Sequence, residues 1–191
     1  MRVPLSWLRD HVRLPSGVPV AELAGRLTAL GLKLEALESP GADVTGPLVV
    51  GRVQQFEDET HSNGKTVRWC QVDVGAHNAD GEPRGIVCGA HNFEVGDLVV
   101  VALPGAVLAG GFEISARKTY GHVSDGMICS ARELGLGDDH EGIIVLGTDE
   151  GEPGEDAAGL LHLRDDVIEF EINPDRAYAL SVRGVARETA T

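Results

Sequence analysis

Apolar residues recur along this chain with three different rhythms. Near the start, Trp7, Leu8, His11 and Val12 lie roughly along one side of a short helix, with Ser6 placed as its N-cap and Pro15-Ser16-Gly17 as its stop. Val20, Leu23, Leu27 and Leu30 then follow at spacings of three, four and three, which predicts a second helix with Pro19 in its first turn and Gly31 just past its end. Leu32, Leu34 and Leu37 lead out as a strand. Beyond Ser39-Pro40-Gly41 the rhythm changes to short β-rich runs: 48–56, 67–74, 85–90, 98–103 and 112–120, with 142–146 closing or covering them. The segments 61–65 and 78–81 read as turns. Residues 147–158, rich in Gly, Glu and Asp around Pro153, read as a linker. Val167 to Ile172 alternates with the period of a half-buried strand, and a last helix from about Ala177 carries Leu180, Val182, Val185 and Ala186.

Five short strands at this spacing suit a small barrel, and the OB-fold is the natural candidate. The flanking segments, 1–39 and 152–191, each hold too little apolar surface for a core of their own. They are therefore expected to pack on each other. The expected architecture is α+β: a five-stranded OB-fold barrel, residues 40–151, inserted into a small discontinuous helical domain.

Composition narrows the function classes. Hydrophobic residues make up 42% of the 191, as in soluble globular proteins, and no run approaches the length of a membrane span. The start lacks a signal-peptide core, so the expected compartment is the cytoplasm. Cys70, Cys88 and Cys129 are widely spaced in apolar surroundings and read as reduced core thiols. The net charge of −14 weighs against strong nucleic-acid binding. Residues 40–151 alone hold seven Lys and Arg against seventeen Asp and Glu, so any RNA contact must be local or assisted.

The stretch 117–137 carries the most specific signal. Arg117, Lys118 and Tyr120 run into a Ser124-Asp125-Gly126 turn, Met127, Ile128 and Cys129 follow, and Ser130 stands three residues before Glu133. That last spacing predicts a capping box opening a one-turn helix ended by Gly135: the Ser130 hydroxyl accepts from the Glu133 amide, and the carboxylate reaches back. Ser124-x-Gly126-Met127-x-x-Ser130 with Glu133-Leu134 resembles the signature of the tRNA-binding OB domain found in several synthetases and free tRNA-binding proteins. Val50-Gly51-Arg52-Val53, Val72-Asp73-Val74-Gly75, Ile86-Val87-Cys88-Gly89-Ala90 with Asn92, and Val101 to Ala106 agree with it.

The ends extend the resemblance. Pro4-Leu5-Ser6-Trp7-Leu8-Arg9, the run 29–38, Glu171-Ile172-Asn173-Pro174-Asp175-Arg176 and the run 180–188 resemble the N-terminus of the β subunit in the bacterial phenylalanyl-tRNA synthetase family. The resemblance covers essentially the whole chain, in order. It implies a winged-helix-like end domain, phenylalanine tRNA as a partner of the OB domain, and an α subunit in a tetramer of two α and two β chains. It also implies that ATP and magnesium are bound elsewhere in a much longer β subunit, of which this chain reads as a piece with no catalytic site of its own. Departures are visible: where related domains have His-Pro-Asn-Ala-Asp-Lys-Leu, this chain has His61-Ser62-Asn63-Gly64-Lys65-Thr66-Val67.

The candidate tRNA contacts are Asn63, Lys65, Arg117, Lys118, Tyr120, Ser124, Met127 and Ser130. Tyr120 offers a stacking surface and the cations a phosphate track, although Arg117 and Lys118 cannot both face one side of a regular strand. Ser124, Met127 and Ser130 are motif positions that the resemblance ties to tRNA. Ser130 is also accounted for as a helix cap, and Met127 as a core gap filler. Asp138-Asp139-His140-Glu141 reads as an exposed acidic loop, since consecutive residues cannot all converge on one ion. No nucleophile elbow is present, so catalysis is not expected here. Two other readings stay open: a structural protein-interaction module without RNA binding of its own, and a free-standing tRNA-binding protein, which would lack the flanking segments.

Overall fold

Pro4 does two jobs at the start of the chain. It ends β1 (Arg2–Pro4) and, with its extended backbone (φ −62°, ψ 137°), caps α1 (Leu5–Arg9), so the cap falls two residues before the expected Ser6. Ser6 lies inside the helix, where its amide and hydroxyl both donate to the Asp165 carboxylate at 3.0 and 2.6 Å. α2 (Val20–Ala29) follows Pro19 and buries Leu23, Ala24 and Leu27, the inner part of the expected stripe. β2 (Lys33–Glu38) comes next. This computed structural model describes every residue except Ser16, Asn63 and Thr191. It divides into two compact units, residues 1–40 with 164–191, and residues 41–163.

The middle unit is built from antiparallel strands. β3 (Leu48–Thr60), β4 (Thr66–Asp73), β5 (Arg84–Cys88) and β6 (Leu98–Ala102) form its main sheet. The small strands β7 (Val107–Leu108), β8 (Phe112–Glu113), β9 (Arg117–Thr119), β10 (His122–Ser124), β11 (Met127–Ile128) and β12 (Val145–Leu146) follow. The sheet runs β11-β6-β3-β4-β5, with β12 also on β6. Long β3 pairs with β6 through residues 48–52 and with β4 through 52–60, and a register shift between Val53 and Gln55 bends it from one partner to the other. All five residues of β6 are buried, as expected of a central strand with apolar neighbours on both faces.

The two edges of this sheet nearly meet. Across the seam, the Asp125 amide donates to the Gly85 carbonyl at 2.9 Å and the Val87 amide to the Ser124 hydroxyl oxygen at 3.1 Å. The Ser124 hydroxyl in turn donates to the Gly126 carbonyl at 3.0 Å, and Arg84 pairs with Asp125. The result is a nearly closed, OB-like antiparallel barrel. Cys70, Cys88 and Cys129 are buried and free within it, and burial pushes the thiols of Cys70 and Cys129 up to about 12.

Two expectations need correction here. The run 112–120 is not one strand: Ile114 breaks off into the interior, exchanging hydrogen bonds with the chain at Gly105 and Ala106, so β8 and β9 pair with different partners. Residues 147–158 are not a linker. The Val50 amide donates to the Glu155 carbonyl and the Gly154 amide to the Val50 carbonyl, at 2.9 and 2.8 Å. Asp156 then caps α3 (Ala157–Leu160), accepting from the Ala158 amide at 3.1 Å. A Cβ at Gly75 would sit 2.2 Å from the Pro153 carbonyl oxygen. Glycine marks close backbone approach here, which reads in sequence like flexibility.

The end unit is not purely helical. β13 (Val167–Glu171) lies between β1 and β2 in an antiparallel three-stranded sheet. Val3, Leu8, Leu27, Leu32, Phe170 and Val185 share its core with α1, α2 and α4 (Val182–Thr189). The last helix starts at Val182, not near Ala177, because Pro174–Ala179 forms a separate 3-10 segment and the Ser181 hydroxyl caps α4 by accepting from the Gly184 amide at 3.0 Å.

Gly184 lies within α4, where helix propensity alone favours alanine by about 1 kcal/mol. A Cβ there would stand 1.9 Å from the Tyr178 carbonyl oxygen. Gly184→Ala is therefore expected to destabilise the end unit, by about 2 kcal/mol or more, when thermal unfolding is followed by circular dichroism.

Candidate functional site

β9 and β10 form a hairpin in which Thr119 pairs with His122, Lys118 with Val123 and Arg117 with Ser124, leaving Tyr120-Gly121 as a two-residue loop. Both loop residues have positive φ, +50° and +91°, the geometry of a type I′ turn whose twist matches the strands. Glycine adopts it freely; tyrosine does so at a cost of about 1 kcal/mol or more. The sequence thus holds an aromatic ring at a hairpin tip where asparagine or glycine folds more easily.

That ring leans on His61, centroid to centroid 4.6 Å, at the end of the β3–β4 hairpin. The hairpin is closed by hydrogen bonds from the His61 amide to the Lys65 carbonyl and from the Gly64 amide to the His61 carbonyl, each 2.9 Å. Glu59 lies between two imidazoles, 2.8 Å from His122 Nε2 and 3.5 Å from His61 Nε2. The His122 ring stacks on Trp69 at 4.2 Å, nearly parallel. A Cβ at Gly85 would strike Trp69, so the indole lies flat against the backbone of β5. Glu59, His61, Trp69 and His122 support the site from beneath, and the sequence reading assigned none of them. The signal available was period two, which puts His61, one residue past the end of β3, in step with Glu59.

Between these hairpins runs a groove of about 640 Å³ lined by Lys65, Arg117, Lys118, Tyr120, Ser124 and Met127, with Val67, Val87 and Gly89 also exposed to it. Six of the eight predicted residues therefore come together. Arg117 and Lys118 both border the groove, although their successive positions in β9, paired with Ser124 and Val123, place them on alternate faces of the hairpin. The Arg117 guanidinium stands 5.1 Å from the Phe112 ring centroid. Asn63 lies outside the described residues. Ser130 does not line this groove; it borders an adjoining hollow.

Local charge differs from global charge. Three of the seven basic residues of 40–151 line the groove, and among the described residues no carboxylate does. Others are engaged elsewhere: Arg84 holds Asp125, while Arg68 is buried between Phe56 and Phe93 and bonded to Asp58. Ser124 is buried and its hydroxyl is used in the seam, so its contribution is to shape the groove. At Ser130, amide and hydroxyl both donate to Glu133 Oε2, at 2.6 and 2.7 Å. This is half the expected capping box, with the serine hydroxyl donating. No helix follows: hydrogen bonds from Gly135 to Arg132 and from Leu136 to Ala131 close a single Schellman-type turn, with Gly135 at φ +70°. Among the described residues no group of three His, Cys, Asp or Glu is placed to hold a metal ion, and no helix is long and apolar enough to cross a membrane.

Tyr120→Asn and Tyr120→Val both remove the ring from His61, but asparagine tolerates positive φ and valine does not. The asparagine variant is expected to be the more stable of the two by about 1 kcal/mol in urea unfolding.

Residues 48–156 match the family described as "Putative tRNA binding domain". The chain is 60% identical over 190 residues to the phenylalanine–tRNA ligase beta subunit of Thermobifida fusca, a match spanning all of this chain and 23% of that protein. It is 55% identical over 190 residues to the same subunit of Streptomyces avermitilis, again all of this chain and 23% of the relative. For Leifsonia xyli subsp. xyli the figures are 55% over 202 residues, all of this chain and 24% of the relative. The chain thus spans about a quarter of the length of the curated relatives it matches.

Proposed function

The chain belongs to the tRNA-binding domain family and matches the N-terminal region of phenylalanine–tRNA ligase β subunits, and from that premise we propose that its groove holds tRNA for such a ligase. In this reading Lys65, Arg117 and Lys118 neutralise backbone phosphates while an unstacked base lies on the Tyr120 ring. The observation that carries it is the gathering of three cations and a strained hairpin-tip tyrosine along one groove of an acidic unit.

The wider assignments follow the same premise. The middle unit is a five-stranded OB barrel inserted into a winged-helix-like end unit. The whole enzyme joins phenylalanine to its tRNA with ATP and magnesium, bound outside these residues, and pairs the β subunit with an α subunit in a tetramer. These 191 residues position tRNA and do no chemistry. A second reading, an interaction module with no RNA binding of its own, draws support from the acid excess of the barrel.

Three single-strand phosphate contacts at about −0.7 per contact give a log–log salt slope near −2, or roughly a twentyfold loss of affinity between about 50 and 200 mM salt. Fluorescence anisotropy with labelled phenylalanine tRNA is expected to show that loss. Arg117→Ala with Lys118→Ala is expected to weaken binding and flatten the slope by about 1.4. Saturable binding that ignores both salt and these cations would sink the groove as the phosphate track, and absence of binding at high micromolar protein would favour the interaction module.

A further inference from the structure

Helical spacing puts Leu23, Leu27 and Leu30 on one face of α2, and the end unit covers that face only in part. Leu23 and Leu27 are buried, whereas Leu30 is 42% exposed. All three border a cavity of about 190 Å³, which Leu5 of α1 and Leu14 in the turn after it also line, together with the end of α4. The core of the end unit therefore has an apolar hollow at its rim. A cavity of about 150 Å³ walled by side chains of this kind takes up benzene, so there is room here for one aromatic ring.

The charged groups around this hollow are mostly cations. Arg9, Arg13 and Arg26 border it, against one carboxylate, Glu188. Arg26 is held by Glu22, one turn earlier on α2, at 2.6 Å, and Glu188 accepts from the Tyr178 hydroxyl at 2.8 Å. Arg9 and Arg13 make no hydrogen bond or ion pair among the described residues. A guanidinium is a fork of donors that matches a carboxylate, and either of the two suffices for one. Exposed arginines are ordinarily just solvated. Here they stand beside an apolar hollow of ring size, and that combination recognises an anion with an apolar body.

We propose that this cavity of the end unit binds a single-ring aromatic carboxylate, with the ring among Leu14, Leu23 and Leu27 and the carboxylate on the guanidinium of Arg9 or Arg13. Burial of the ring supplies the affinity, since an exposed ion pair alone contributes little. The arginines supply the sign. An alcohol of the same shape keeps the ring contacts and loses the ion pair, and an amine replaces that attraction with repulsion. This site is independent of the groove in the middle unit, and its occupancy does not depend on RNA.

The test titrates the isotopically labelled 191-residue chain with phenylacetate, phenethyl alcohol and phenethylamine at neutral pH and follows its methyl and amide chemical shifts. Phenylacetate is expected to shift Leu14, Leu23, Leu27 and Leu30 saturably and to bind about tenfold more tightly than the alcohol, with the amine weakest, since hydrogen bonds between charged groups are the strong ones. In the double variant Arg9→Gln with Arg13→Gln, phenylacetate is expected to fall to the affinity of the alcohol while the alcohol is unchanged. Both positions are exposed, so the fold stands, and the remaining resonances report that directly. Equal binding of acid and alcohol, or a preference for the acid that survives in the double variant, overturns the proposal. So do shifts confined to other residues, and so does failure of phenylacetate to saturate at high millimolar concentration.

Discussion

The barrel depends on one seam. Its main sheet has two edges, and what joins them is the turn at Ser124-Asp125-Gly126: one amide donated to the Gly85 carbonyl, one hydroxyl taking the Val87 amide, and one ion pair from Arg84. Without those contacts β5 would be an open edge with unpaired backbone groups, a liability in any sheet. The same turn ends β10, so closing the seam also fixes where the β9–β10 hairpin stands and which way Tyr120 reaches. Fold closure and site placement are one constraint.

This explains why motif residues divide into two kinds. Ser124 and Ser130 spend their hydroxyls inside the protein, on Gly126 and Glu133, and hold the turns on which they stand. Lys65, Arg117, Lys118 and Tyr120 line the groove itself. Tyr120 pays for its place with a positive φ, and strain of that kind persists where the surroundings impose it, here a type I′ turn between paired strands. The acid excess of the unit and the basic lining of the groove are compatible because charge acts over about a Debye length, near 8 Å at physiological salt.

Much of this was legible in the sequence where local physics and tertiary packing agree. The middle of the α2 stripe at Leu23 and Leu27, the alternation in β13 and the all-apolar run of β6 each read correctly because burial follows the period of the element. Reading failed where tertiary approach overrides local signal. The glycines around Pro153 looked like a linker because close backbone packing and flexibility call for the same residue. Ile114 split an apparent strand because its partners are at Gly105 and Ala106. At the candidate site, the cationic and aromatic positions that line the groove were legible from motif and type, whereas the His61–Glu59–His122 cluster on Trp69 was not, because it joins β3, β4 and β10 across as many as 63 residues.

The central claim is that RNA lies in the groove closed by that seam. The most direct test is to titrate the isotopically labelled chain with single-stranded RNA and follow backbone amide chemical shifts. The account predicts the largest shifts at Lys65, at residues 117–120 and around Met127, saturating together. Shifts confined to other faces of the barrel, or to the end unit, would contradict it.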